Sequence, residues 1–303
     1  MRRSLVLVAA VLLSGCGGGT TAEPASPAED GALTVRTLDL RDGSRTTDPT
    51  PATPGKDAAP GRDLPTTIAY PPEGDDLPVV VFTHGLGSQP EAYEELLTEW
   101  ARAGFLVVAP RYPLTSQGSA EVFDDVREQP ADISFVLTAV LALDDTAGDD
   151  LEGRIDGEHV AAGGHSAGAI TTLGLLGPCC TDERIDAAVI LAGAPLYFGS
   201  AFAPPGVPAL FVHGTDDTVL PVGDAQTMFS AYPGPAAFLE LVGGTHSAPF
   251  DEASDPAYEA VAAATTDFLR WSLAGDEAAL DDLRAVPQRW PGVQLTADRL
   301  AGG

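Results

Sequence analysis

Cysteine is scarce in these 303 residues: one at position 16 and an adjacent pair, Cys179 and Cys180. Neighbouring α-carbons lie about 3.8 Å apart, below the usual disulfide span of about 4.4–6.8 Å. A bridge between them is therefore strained; an oxidising compartment allows it, and two buried thiols are the alternative. The five histidines are scattered, with no His-x-x-x-His pair, so no metal-ligand cluster is visible. Basic residues are few: 16 Lys and Arg against 44 Asp and Glu give a net charge of −28. Such a surface repels phosphate backbones and anionic headgroups, which excludes nucleic acid as an expected partner. It suits neutral or cationic substrates without naming one, and an organism's general habit of acidity accounts for it equally well. No Gly-x-Gly-x-x-Gly follows a strand and no phosphate-binding loop appears, so no cofactor is expected. The pairs Asp144-Asp145 and Asp149-Asp150 read as a solvated acidic loop rather than a calcium site.

A long apolar run is also missing. The longest near the start, Leu5–Leu13, is too short to span a bilayer, and it follows Arg2 and Arg3. The next residues, Leu13-Ser14-Gly15-Cys16, resemble the lipobox of bacterial lipoproteins. That resemblance implies lipidation of Cys16, which then becomes the first mature residue, anchored to the bacterial cell membrane on its extracytoplasmic side. An ordinary signal peptide with an incidental cysteine, or a single membrane anchor, is the alternative. Residues 1–15 are accordingly expected to be a signal peptide and 16–31 a flexible Gly/Thr/Ala/Pro linker. One domain is expected over 32–303.

A hydrophobic fraction of 44% is ample for a core. Two strands, Leu33–Leu40 and Pro65–Tyr70, are expected to flank a loose Pro/Thr/Gly stretch from Thr46 to Arg62. From Pro78 onward strand and helix alternate. Val79–Phe82 is a continuous apolar run, as in a strand buried on both faces of a parallel sheet. Helix Glu91–Ala103, strand Phe105–Ala109, helix Ala131–Leu143 and strand Val160–Gly163 follow. Helix Ala167–Leu176 comes next, then strands Ala187–Leu191 and Ala209–Val212 and helix Val222–Tyr232. Strand Ala237–Leu241, helix Pro256–Leu273 and a peripheral helix Asp276–Arg284 close the chain. The alternation predicts an α/β fold with a mostly parallel central sheet and helices on both faces.

Gly164-His165-Ser166-Ala167-Gly168 is a G-x-S-x-G pattern between a predicted strand and a predicted helix, the context of a nucleophile elbow. The turn requires small residues two before and two after Ser166. A serine hydroxyl needs a base, and the base an orienting acid. In the order Ser, acid, His, the base belongs in the loop between the last strand and the closing helix, which selects His246 over His213. For the acid, Asp216 and Asp217 stand together after strand Ala209–Val212, and spacing alone does not separate them. An oxyanion needs two N–H donors: Ala167 supplies one, and Leu86 in the loop Thr83–Ser88 the other, with Gly85 as a substitute. His84 reads as a structural residue bonding within that loop.

These segments resemble the dienelactone-hydrolase-like branch of the α/β-hydrolases, and are similar to platelet-activating-factor acetylhydrolases and bacterial cutinase-like polyester hydrolases. The resemblance rests on Val80–Ser88, Arg127–Leu137, Gly164–Gly168, His213–Asp217 and Gly244–His246, and covers residues 32–273. It implies the α/β-hydrolase fold and a serine esterase, and it puts the acid at the last position of His213-Gly214-Thr215-Asp216-Asp217, hence Asp217. The chain departs from these families in places. Dienelactone hydrolases proper use cysteine where Ser166 stands. Polyester hydrolases carry methionine at the place of Ala167 and tryptophan at that of Leu196. Tyr197, Phe198 and Phe202 are left to supply ring faces, and residues 194–208 are too few for a large lid. The expected activity is hydrolysis of short-chain or polyester-like carboxylic esters through an acyl-enzyme. Acyl transfer or phospholipid acyl hydrolysis on the same residues, or a non-catalytic binding lipoprotein, are the other readings.

Overall fold

A computed structural model describes residues 32–48, 58–203 and 206–300. The expectations for residues 1–15 and 16–31, including Cys16, lie outside them. A nine-stranded sheet is built from β1 (Thr34–Thr47), β2 (Ala59–Tyr70), β3 (Leu77–Thr83), β4 (Leu106–Pro110), β5 (Ile155–His165), β6 (Ile185–Leu191), β7 (Ala209–Gly214), β8 (Ala236–Leu241) and β9 (Val293–Asp298). Their spatial order is β1-β2-β4-β3-β5-β6-β7-β8-β9. The strands from β4 through β8 pair in parallel. At one edge β1 and β2 run antiparallel, and at the other β9 does. This is the α/β-hydrolase fold, with its sheet mostly parallel.

The helices are α1 (Glu94–Arg102), α2 (Gln129–Leu141), α3 (Ala167–Leu175), α4 (Val222–Ala231), α5 (Ala248–Asp251), α6 (Tyr258–Ala274), α7 (Glu277–Arg284) and α8 (Val286–Arg289). They cover the two faces of the sheet. On one face Trp100 of α1, Phe268 of α6 and Leu283 of α7 form one apolar cluster. On the other, Val136 of α2, Leu173 of α3 and Met228 of α4 form a second. Burial on both sides explains why Val79–Phe82 of β3 and Ala187–Leu191 of β6 read as unbroken apolar runs rather than alternating ones. Full burial of each such side chain contributes about 1.5–3 kcal/mol.

Three differences from the sequence reading have local causes. The stretch Thr46–Arg62 was expected to be loose, yet β1 runs to Thr47 and β2 starts at Ala59, pairing Thr47 with Ala59 and Thr46 with Pro60. A register shift between Asp42 and Thr46 and the prolines conceal the strand alternation there. The helix expected from Glu91 opens instead as a 3-10 turn, Pro90–Tyr93, before α1. Strand β9 was not foreseen, so β8 is not the last strand.

A buried ion cluster braces the β1–β2 side. Arg62, wholly buried, donates to both oxygens of Asp125 at 2.9 Å and to Asp132 at 2.7 Å. Burial opposes the guanidinium charge, but the two carboxylates outweigh it and raise its pKa. Asp125 lies in the 3-10 turn Phe123–Arg127, so the cluster fixes the segment that carries Phe123.

Candidate active site

β5 ends at His165 and α3 begins at Ala167, leaving Ser166 alone in the turn with φ 55° and ψ −117°. A non-glycine residue held there is strained by about 1–3 kcal/mol. The surrounding packing enforces it. A Cβ on Gly168 would come within 1.9 Å of the Thr83 carbonyl oxygen, and one on Gly164 within 2.4 Å of Gly168. The two glycines thus let α3 approach β3 and β5 closely enough to push the hydroxyl out over the carboxyl ends of the strands.

Two loops meet that hydroxyl. His246 follows β8, and its Nε2 lies 2.8 Å from Ser166 Oγ. Its Nδ1–H donates to Asp217 Oδ2 at 2.7 Å. Asp217 follows β7 and is only 6% exposed. Its other oxygen accepts from the Val219 and Leu220 N–H groups, both at 2.8 Å. Burial disfavours this carboxylate, yet the bonds from His246, Leu220 and Val219 prevail and hold its pKa below the ordinary range. Asp216 is exposed, so the geometry separates the two neighbours. Gly214 lets the loops meet: a Cβ there would stand 2.2 Å from the Gly244 carbonyl oxygen.

His213 is buried and faces the same carboxylate. Its Nε2 lies 2.7 Å from the Leu220 carbonyl oxygen and 3.2 Å from Asp217 Oδ2. Burial lowers its pKa, so it braces the acid loop as a neutral ring. His84 bonds within its own loop through Nδ1, to the Gly85 carbonyl at 2.8 Å, and ties that loop to another segment through Nε2, 3.0 Å from Ser116 Oγ. Burial lowers it to about 4.

Sequence reasoning missed a connection beneath the site. The Tyr93 hydroxyl accepts from the Gly85 N–H at 3.3 Å and donates to His165 Nδ1 at 2.8 Å. His165 in turn donates from Nε2 to the His246 carbonyl at 2.8 Å. Burial, then the neighbouring His246, lowers His165 to about 3, so it is a neutral strut. Its place within G-x-S-x-G was visible, but not its partners, which lie 72 and 81 residues away.

Leu86 follows Gly85 in this braced loop. Its neighbours' N–H groups are engaged: Gly87 by the Thr115 carbonyl, Ser88 by the Gly85 carbonyl and Gly85 by Tyr93. Among the described residues no acceptor takes the Leu86 N–H. Ala167 opens α3, where a helix has no internal acceptor for its first N–H groups.

The cleft over Ser166 holds about 390 Å³ and is walled by Phe123, Ile170, Leu196 and Val219. Leu86, Leu196 and Val219 border it and remain 40%, 40% and 62% exposed, so its rim is apolar. The aromatic residues expected to offer ring faces turn elsewhere. Tyr197 packs on Phe123 at 5.2 Å beneath Arg127, Phe198 covers Gly174, and Phe202 meets Tyr232 at 4.9 Å. Phe123, held by the Arg62 cluster, and Tyr93 are the aromatic rings lining the cleft. Cys179 and Cys180 are joined by a disulfide, and Cys179 is exposed, so the alternative of two buried thiols does not hold. Among the described residues no group of metal-ligating side chains converges, and no helix is long and apolar enough to cross a membrane.

Fold and site geometry together define an α/β-hydrolase. The family model described as Chlorophyllase matches residues 31–192, and the chain belongs to that family. With it comes ester hydrolysis of the α/β-hydrolase type as the class of chemistry. The match includes Leu86, Ser166 and Ala167, and it ends before Asp217 and His246, which the geometry alone brings in. No curated protein matches the sequence.

Proposed function

We propose that this protein hydrolyses carboxylic esters through an acyl-enzyme on Ser166. The observation that carries the reading is the continuous chain from Ser166 Oγ through His246 to the buried Asp217, opening on an apolar-rimmed cleft. His246 Nε2 takes the hydroxyl proton as Oγ attacks the ester carbonyl. Asp217 fixes the tautomer with Nδ1–H inward and stabilises the imidazolium. The N–H groups of Leu86 and Ala167 receive the negative oxygen of the tetrahedral intermediate, a contribution of about 2.7–4 kcal/mol per donor. His246 returns the proton to the leaving alcohol, then activates water to release the acid and restore Ser166.

Neutral, apolar esters of modest acyl size, or ester units of a polymer, suit a 390 Å³ cleft with this rim. The lipobox-like Leu13–Cys16 segment supports a chain tethered by a lipid on Cys16 outside the cytoplasm. Turnover of p-nitrophenyl esters of rising chain length tests the reading. Short esters should be cleaved, and His246→Ala and Asp217→Ala should lose about 10⁴-fold or more in kcat. Full activity in either variant contradicts the assignment.

A further inference from the structure

The Gly85 carbonyl is held from two sides. His84 Nδ1 lies 2.8 Å from it, and the Ser88 N–H donates to it at 3.1 Å. On the far side of the imidazole, Nε2 lies 3.0 Å from Ser116 Oγ, which itself accepts from the Tyr112 N–H at 2.8 Å. His84 and Ser116 are both buried.

The proton positions follow from the partners. A carbonyl only accepts, so His84 Nδ1 carries a hydrogen and donates it. Burial keeps the ring neutral, which leaves Nε2 as an acceptor, and the Ser116 hydroxyl turns its proton there. The links therefore run one way, from the Tyr112 N–H through Ser116 and His84 to the Gly85 carbonyl, and hydrogen bonds in such a chain polarise one another.

The Gly85 carbonyl and the Leu86 N–H belong to one peptide unit, planar and trans, so they point in opposite directions. Holding the carbonyl fixes the direction of an N–H that, among the described residues, no acceptor takes. This peptide stands beside the nucleophile: a Cβ on Gly85 would lie 3.4 Å from Ser166 Cβ. Rotated by half a turn, it would offer a negative oxygen its carbonyl instead of its N–H.

We propose that His84 is a positioning residue for ester hydrolysis, whose Nδ1–H holds the Gly85–Leu86 peptide with the Leu86 N–H aimed at the oxyanion before substrate arrives. The inference rests on the acyl-enzyme reading above, and adds to it a buried histidine that does not touch substrate.

Two variants separate this role from simple packing. His84→Asn keeps an N–H donor near the place of Nδ1, and His84→Leu has none. On p-nitrophenyl butyrate, His84→Leu should lose at least about tenfold in kcat, up to the about 10²–10³-fold that a missing oxyanion donor costs, with KM within about threefold of wild type. His84→Asn should restore most of that loss. A trifluoromethyl ketone of the same chain length, whose adduct with Ser166 carries the same negative oxygen, should lose affinity for His84→Leu by the factor lost in kcat/KM. Full kcat in folded His84→Leu, or equal losses in the two variants, overturns the role. Nitrogen NMR of the wild type with labelled histidine needs no folded Leu variant, since His84 is assigned by its absence from His84→Asn. It should place the ring hydrogen on Nδ1; a hydrogen on Nε2 alone overturns the proposal. A wild type with neither turnover nor ketone adduct would count against the hydrolase reading, and against this role with it. Turnover untouched by His84→Leu counts against the role alone.

Discussion

His165 donates its Nε2–H to the main-chain carbonyl of His246 at 2.8 Å, and the two rings lie 5.0 Å apart. The residue before Ser166 thus holds the loop that carries His246, the proposed base. Through Nδ1 the same ring is tied to Tyr93 and, beyond it, to Gly85 of the loop proposed to serve the oxyanion. One neutral imidazole therefore sets three parts of the site against each other. Tyr93→Phe removes both of its bonds, and kcat should fall about tenfold, equivalent to about 1.4 kcal/mol, with KM little changed. Steady-state kinetics check this; an unchanged kcat would show that the strut does not position the base.

The same burial makes a pH prediction. His165 has an ordinary value of 6.5 and a folded value of about 3. Between those limits the unfolded chain binds a proton that the folded chain refuses, so this residue lowers stability as pH falls through the window. His165→Gln, which keeps a donor for the His246 carbonyl, should flatten the stability-pH curve between pH 6 and 4. The change is about 1.4 kcal/mol per pH unit relative to wild type. Denaturant titrations at several pH values check it, and parallel curves for the two proteins would contradict it.

Buried and exposed ion pairs should part company. Arg62→Leu leaves Asp125 unpaired at 3% exposure and Asp132, at 0%, with Arg45 alone, a loss of about 3–5 kcal/mol. Asp63→Ala breaks the pair with Arg41, whose side chains are 67% and 51% exposed respectively, and should cost less than about 1 kcal/mol. Thermal melts compare them directly. The Arg62 variant should also disturb the cleft, because Asp125 and Phe123 share one turn.

What could be read from the sequence followed from locality. Ser166 stands in a five-residue pattern whose glycines are required by contacts at 1.9 and 2.4 Å, and such constraints leave a short signature. β3, β6 and the core helices showed themselves by apolar run and period. His246 needed only strand order. Asp217 was separable from Asp216 by resemblance alone, since a one-residue choice depends on how the turn after β7 closes on Val219 and Leu220. The Tyr93–His165 strut and the Arg62 cluster left no local pattern, because each joins residues far apart in the chain. β1 and β2 were masked at their hairpin ends by prolines, and β9 by its short polar alternation at the sheet edge.

The close approach of the Gly214 and Gly244 loops yields a further prediction. Gly214→Ala places a methyl group 2.2 Å from the Gly244 carbonyl oxygen, so the His246 loop must move. A displacement of about 1 Å is enough to cost about 10²-fold in kcat. Gly223→Ala, at a helix position with open space around it, should leave kcat unaltered and serves as the control.

The central claim is that Ser166 is the nucleophile, activated by His246 and Asp217. Its most direct test is intact-protein mass spectrometry after exposure to a fluorophosphonate, with peptide mapping and a Ser166→Ala control. The account predicts one adduct, on Ser166, absent from the variant and accompanied by loss of ester turnover. No adduct on a folded wild-type protein, or an equal adduct on Ser166→Ala, would contradict it.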